Sequence, residues 1–364
     1  MIRLLAPFFI LLGFSAQAQL VRKYSNEFLN IGVGARALGM SGSVVASVDD
    51  NTSIFWNPAG LTEIRSNYQV SAMHAEYFAG IAKFDELAAS YRIDNKSVIG
   101  LGFVRFGIDD IPNTIDLVDQ NGNVNYDRIT SFSTADHALL LSYGTQTKVK
   151  GLSIGASAKI IYRNLGQFAQ AWGFGLDLGA RYEKDNWIYA ATARDITYTY
   201  NSWTYDLDER TIEVLGATGN EIPSNGLEIT APSLQVGVAR KIDLKKRFGL
   251  LAELNLKNYF DGQRSTLISS KSINIDPNLG LEANYAGLVF LRLGVGNIQR
   301  QKAEIGNFSE LTYQPNIGVG LKYRGIQLDY ALSDIGDQSV ALFSNVFSLR
   351  FDINQNKGAS KSNS

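Results

Sequence analysis

The sequence predicts an all-β protein: a transmembrane outer-membrane β-barrel of about fourteen antiparallel strands, with an N-terminal plug of short helices. Three observations predict it. From Tyr68 onward the chain falls into segments in which apolar residues alternate with polar residues or glycine. The connections between these segments alternate between short turns and longer loops. The stretch just ahead of them, residues 28–64, lacks that period altogether.

The N-terminus reads MIRLLAPFFILLGFSAQAQ. Arg3 is a basic lead, Leu4 to Phe14 is apolar but too short to span a bilayer, and Ala16-Gln17-Ala18 is a small-residue cleavage signal. Residues 1–18 are therefore expected to be a signal peptide, with Gln19 as the mature N-terminus. Past Phe14 no apolar run approaches the ~20 residues a membrane helix needs. An exported chain of this kind is either soluble or a closed barrel.

Residues 19–66 are expected to form a hatch. Gly32, Gly34 and Gly39, with Arg36 between them, allow close backbone approach. Asp49 and Asp50 lead into Asn51-Thr52, residue types that start helices. Asn57-Pro58-Ala59-Gly60 breaks the chain again. The segment folds into the lumen as a plug or, alternatively, caps one rim.

The barrel is assigned to residues 67–353. In AWGFGLDLGARYE, Trp172, Phe174, Leu176, Leu178, Ala180 and Tyr182 share one face, and Asp177 and Arg181 fall on the other. Aromatics stand near both ends of the apolar face, as in a strand that crosses two interfaces. The same alternation places Glu253, Lys257, Glu282, Lys322 and Asp329 on polar faces, where a lumen tolerates charge and a sandwich core does not. These charges are expected to neutralise one another and fix the plug, with a polar permeation path as the alternative. The longest loops are placed at 107–133 and 197–231. Their Ile111, Ile115, Leu117, Trp203, Tyr205, Ile222 and Leu227 are more apolar than a solvated loop requires and are candidate partner-binding residues. The short turns read as periplasmic and the long loops as extracellular, with both termini periplasmic. The polar tail, residues 354–364, reads as disordered.

Composition narrows the function. The chain has no cysteine, two histidines (His74 and His137) and a net charge of −1. No nucleophile with a base and an orienting acid can be assembled, so catalysis is not expected. No cofactor or metal site is expected, and no basic stripe points to nucleic acid.

The stretch NEFLNIGVGARALGMSGSVVASVDDNTSIFWNPAGL resembles the N-terminal signature of the PorV/PorQ family, FadL-like outer-membrane barrels of Bacteroidetes. The resemblance continues through HAEYFAGIAKFD, RFGIDDIPNT, ATGNEIP, QPNIGVGLKY and LDYALSDIG. It implies a fourteen-stranded barrel with an N-terminal hatch. It also implies a role in type IX secretion, as a shuttle or scaffold that binds the translocon or the C-terminal sorting domains of cargo. The same barrel family implies an alternative, transport of hydrophobic small molecules. That alternative calls for a continuous apolar cavity from the loops into the lumen, and a fixed plug with charged pairs counts against it. Outer-membrane lipid is the expected surroundings in either case.

Overall fold

The structure is a computed structural model that describes residues 24–119, 121–245, 247–302, 309–333, 335 and 343–354. The expected signal peptide and the tail beyond residue 354 lie outside the described residues.

Strands β1 (Tyr68–Tyr77), β2 (Ala82–Arg92), β3 (Ser97–Asn113), β4 (Thr130–Gln146), β5 (Leu152–Leu165), β6 (Ala169–Lys184) and β7 (Trp187–Arg194) pair in sequence order. Beyond a break, β8 (Thr199–Tyr205) and β9 (Gly226–Thr230) form a hairpin still attached to the far end of β6. The circle continues through β10 (Ser233–Lys245), β11 (Phe248–Tyr259), β13 (Asn274–Tyr285), β14 (Val289–Lys302), β15 (Ser309–Tyr323), β16 (Ile326–Ser333) and β17 (Ser344–Ile353). A two-residue strand, β12 (Ile268–Ser269), clips onto β13. β17 pairs back onto β1, Tyr68 opposite Ile353, so fourteen staves close without an edge. Closure removes every free row of backbone donors, which is what permits a sheet in lipid.

One rim carries tight turns. Asp185-Asn186 and Arg324-Gly325 connect their strands with two residues each, all at positive φ, as hairpins that match strand twist require. The opposite rim carries the longer connections and three of the wall's irregularities, at Ile108/Ile111, Asp195–Tyr198 and Gly296/Gln299.

The outer face is apolar. Leu101, Leu141, Trp172 and Leu178 all project outward, Leu141 with 60% of its surface exposed. The Tyr162 and Trp172 rings meet at 4.7 Å, tilted by 44°, near the long-loop side, and Tyr143 lies toward the short turns. That is an apolar band with aromatics at its edges, the pattern of a wall in contact with lipid.

The core is inside. Residues 24–66 pack in the lumen as a 3-10 turn (Glu27–Asn30), α1 (Ala35–Gly39), α2 (Ser53–Trp56) and a second 3-10 turn (Pro58–Glu63). Met40, Val44, Val45, Val48, Ile54 and Leu61 are essentially inaccessible. Glycines on the inner wall make room for this backbone. A Cβ on Gly294 would stand 2.3 Å from the Met40 carbonyl carbon, and one on Gly155 2.4 Å from that of Pro58.

Two expectations need correction. The 107–133 loop is shorter than expected, because β3 runs on to Asn113 and β4 begins at Thr130. Ile111 therefore faces Phe132 across a strand pair, and Ile115 and Leu117 remain in the loop. The 197–231 region is mostly ordered: Trp203 and Tyr205 belong to β8, Leu227 to β9, and α3 (Glu209–Ala217) sits between them, leaving Ile222 in the loop. Strands outran the apolar alternation because their ends carry loop-like polar residues on a paired backbone. The second correction concerns the termini. Ser25 and Asn26 bond Glu228 and Thr230 of β9, and Glu27 pairs with Arg264 beyond β11. The first described residues thus lie at the long-loop end, whereas Ile353 lies at the short-turn end.

Candidate functional site

The hatch is held in the lumen by charge. Arg36 on α1 donates from Nε to Glu282 at 2.9 Å and from Nη1 to Asp49 at 3.2 Å. Glu282 also accepts from Arg292 Nε at 2.6 Å, and Arg292 Nη1 reaches Asp329 at 2.7 Å. Arg292 is 0% exposed, so its charge depends wholly on these carboxylates. Next along the wall, Arg350 of β17 pairs with Asp50 of the hatch. Burial pushes the Asp50 carboxyl up, but Arg350 and Arg36 outweigh it and hold it below the usual carboxylate range. Burial likewise opposes the Arg36 charge, which Glu282 and Asp49 more than restore.

Backbone groups of the hatch are satisfied by the wall. Glu253 accepts from the N–H groups of Ala46 and Ser47 at 2.8 and 3.0 Å. Arg181 donates to the Ala46 carbonyl at 3.1 Å and to Glu63 at 2.9 Å. Arg194 donates to the Phe55 carbonyl at 2.8 Å. Within the hatch, Asn57 donates to the Val45 carbonyl at 3.0 Å and to Ala180 of the wall at 3.2 Å. Pro58 follows at the first position of the 3-10 turn, where its missing N–H costs nothing. Gly32 and Gly34 both have φ of +88°, and Gly32 lies flat against the Trp56 ring. Gly39 abuts Gly318 of the wall, and Gly60 abuts the Val48 carbonyl.

The remaining lumen candidates sit elsewhere. Asp177 pairs with Lys159 at 2.8 Å, at the break between β7 and β8, where Asp195 also meets Lys159 at 2.6 Å. Lys322 lies at the short-turn mouth and pairs with Asp352 at 3.4 Å. Lys257 faces the space on the long-loop side of the hatch. Arg292 and Arg350 were missed by sequence reasoning, yet both fall on the inward phase of an otherwise apolar alternation, in LRLGV and FSLRF.

The hatch divides the lumen in two. The cavity on the long-loop side is about 680 Å³, floored by Leu38, Trp56 and Ile31 and walled in part by Tyr77 and Phe106. The cavity on the short-turn side is about 560 Å³ and is bordered by Arg36, Asp49, Glu63, Arg181 and Arg350. Among the described residues the hatch separates these two cavities, and charged side chains border the one on the short-turn side, so they do not join into the continuous apolar cavity that transport calls for.

A closed antiparallel barrel with an apolar outer band and a lumen filled by an N-terminal hatch has the fold of FadL-type outer-membrane barrels. No protein-family model matches the chain, and no curated protein is similar to it. Among solved structures, it is similar to the CymD monoaromatic hydrocarbon channel, with a TM-score of 0.53, 14% identity and coverage of 89% of this chain and 98% of that one. The toluene transporter TbuX of Ralstonia pickettii gives a TM-score of 0.51, 16% identity and coverage of 89% and 99%. A Pseudomonas aeruginosa FadL homologue gives 0.51, 14% identity and coverage of 88% and 98%. At such identities the likeness establishes the fold alone.

Proposed function

We propose that the protein is a passive, non-enzymatic outer-membrane barrel through which small hydrophobic or amphipathic molecules enter. The observation that carries this reading is the 680 Å³ cavity on the long-loop side, whose floor is the hatch and whose lining is in part aromatic. Neighbours in fold are described as a toluene transporter and a monoaromatic hydrocarbon channel, which supports the same class of cargo. The long loops face outward from the cell in this reading. A molecule captured above the hatch passes on only when the hatch moves, because charged pairs fill the space around it. The test is uptake of dilute labelled toluene by cells with an intact outer membrane. Several-fold faster uptake than in cells lacking the barrel supports the reading, and equal uptake sinks it.

A second reading follows the PorV/PorQ resemblance: a type IX secretion scaffold that binds the translocon or cargo sorting domains. One observation favours it. Arg210 of α3 reaches Asp116 at 3.3 Å and the Val118 carbonyl at 3.0 Å, joining the two longest loops into one lobe. That lobe exposes Val118, Tyr126 and Ile222. Crosslinking in the native membrane tests it, and the absence of translocon subunits and of sorting-domain proteins from the crosslinked material sets it aside.

A further inference from the structure

We infer that the cavity above the hatch recognises a zwitterionic head group, that of an α-amino acid with an apolar side chain. The inference rests on the uptake reading and narrows its cargo. Lys257 of β11 and Asp276 of β13 stand directly opposite each other across a strand pair and both border this cavity. Opposed residues have Cα atoms about 5 Å apart, close enough for an ion pair. These two do not form one: among the described residues neither side chain has a hydrogen-bond or ion-pair partner, and Asp276 Oδ1 is buried without an acceptor's due. By contrast, Arg264 is matched by Glu27 and Asp261, and Arg194 donates to the Asn30 side chain and the Phe55 carbonyl. Two opposite charges that lie within electrostatic reach of each other, yet hydrogen-bond to no described residue, are complementary to a ligand that carries both signs close together and can bridge them. A simple anion would meet Lys257 but be repelled by Asp276, and a simple cation the reverse.

The apolar half of the ligand has a place beside them. A Cβ built on Gly42 would stand 3.0 Å from Trp56 Cη2 and 3.7 Å from Lys257 Nζ, so the indole edge and the ammonium flank one point on the cavity floor. Leu38 borders the same space. An α-amino acid sets its ammonium and carboxylate on one carbon and its side chain on the same carbon, which fits head group to the Lys257–Asp276 pair and side chain to Trp56 and Leu38.

The experiment is calorimetric titration of the purified full-length barrel with L-phenylalanine, 3-phenylpropionate, 2-phenylethylamine and toluene. The expected result is that phenylalanine binds roughly tenfold or more tightly than either singly charged analogue, the size of one charge-assisted hydrogen bond. Lys257→Met should abolish the preference over the amine, and Asp276→Asn the preference over the acid, with toluene affinity unchanged in both. Either analogue binding as tightly as phenylalanine overturns the inference. Toluene binding with no gain for phenylalanine overturns it while leaving the uptake reading in place. No binding of any of the four overturns both.

Discussion

Glu282→Ala should loosen the hatch without opening the wall. Glu282 is the one carboxylate that ties the hatch residue Arg36 to the wall residue Arg292, through contacts of 2.9 and 2.6 Å. Arg292 keeps Asp329 after the substitution, and Arg36 keeps the Ser47 carbonyl and, as its paired carboxylate, Asp49, whose side chain is 58% exposed. Removing one partner of a buried pair costs about 3–5 kcal/mol. The lower end applies, since each arginine retains one carboxylate. A loss of about 3 kcal/mol corresponds to roughly a hundredfold rise in local opening. Amide hydrogen exchange reads it directly: the N–H groups of Met40, Ala46 and Val48, bonded to Ala37, Glu253 and Val44, should exchange about a hundred times faster. Wall amides such as that of Leu141 should not change. The double variant Arg36→Met with Glu282→Leu should recover part of the loss, because it leaves fewer unpaired buried charges. Unchanged hatch exchange in a folded Glu282→Ala barrel, or equal acceleration of hatch and wall, would refute the assignment of this network as the hatch anchor.

Other outcomes follow from the same geometry. The Asp50 carboxyl is held below its ordinary value, so it stabilises the hatch above the unfolded pKa near about 3.9, and that contribution disappears as pH falls through the lower folded value. Asp50→Asn should therefore weaken hatch protection at pH 7 and match wild type in strong acid, as a pH series of exchange measurements would reveal. Gly294→Val should displace the hatch, since even a Cβ would stand 2.3 Å from Met40 backbone, whereas Gly216→Ala, with nothing within 4 Å, should be neutral or gain up to about 1 kcal/mol. Heat-modifiability on gels and bilayer conductance distinguish the two. Leu141→Arg places a charge on the lipid face and should cost about 2–4 kcal/mol in a refolding titration if it lies near the midplane.

The fold was legible because the wall obeys a period of two along almost its whole length. All fourteen staves were readable from alternation, and even the inward position of Asp177, Arg181, Glu253 and Glu282 follows from it. What each charge meets was not legible, since partners such as Arg36–Glu282 lie 246 residues apart and depend on how the hatch sits. Lys257 and Asp276 illustrate the limit: their opposition is a matter of register between β11 and β13, and the long connection between them, though it holds the turn signal Asp261-Gly262, does not fix that register in the sequence. The loop regions were misread for a similar reason. Trp203 and Leu227 look like exposed loop residues until β8 and β9 are seen to pair beyond the wall, where Trp203 donates to Glu228 at 2.6 Å. The position of the first described residues could not be read from composition at all, because it is fixed by contacts of Ser25, Asn26 and Glu27 with distant strands and loops.

The most direct test of the uptake account is to photolyse a diazirine-bearing toluene analogue with the barrel in lipid and map the labelled residues by mass spectrometry. The account predicts labelling of the cavity above the hatch, at Leu38, Trp56, Tyr77 or Phe106, that excess toluene competes away. Label confined to the outer face, at residues such as Trp172 and Leu178, and insensitive to competition would contradict it.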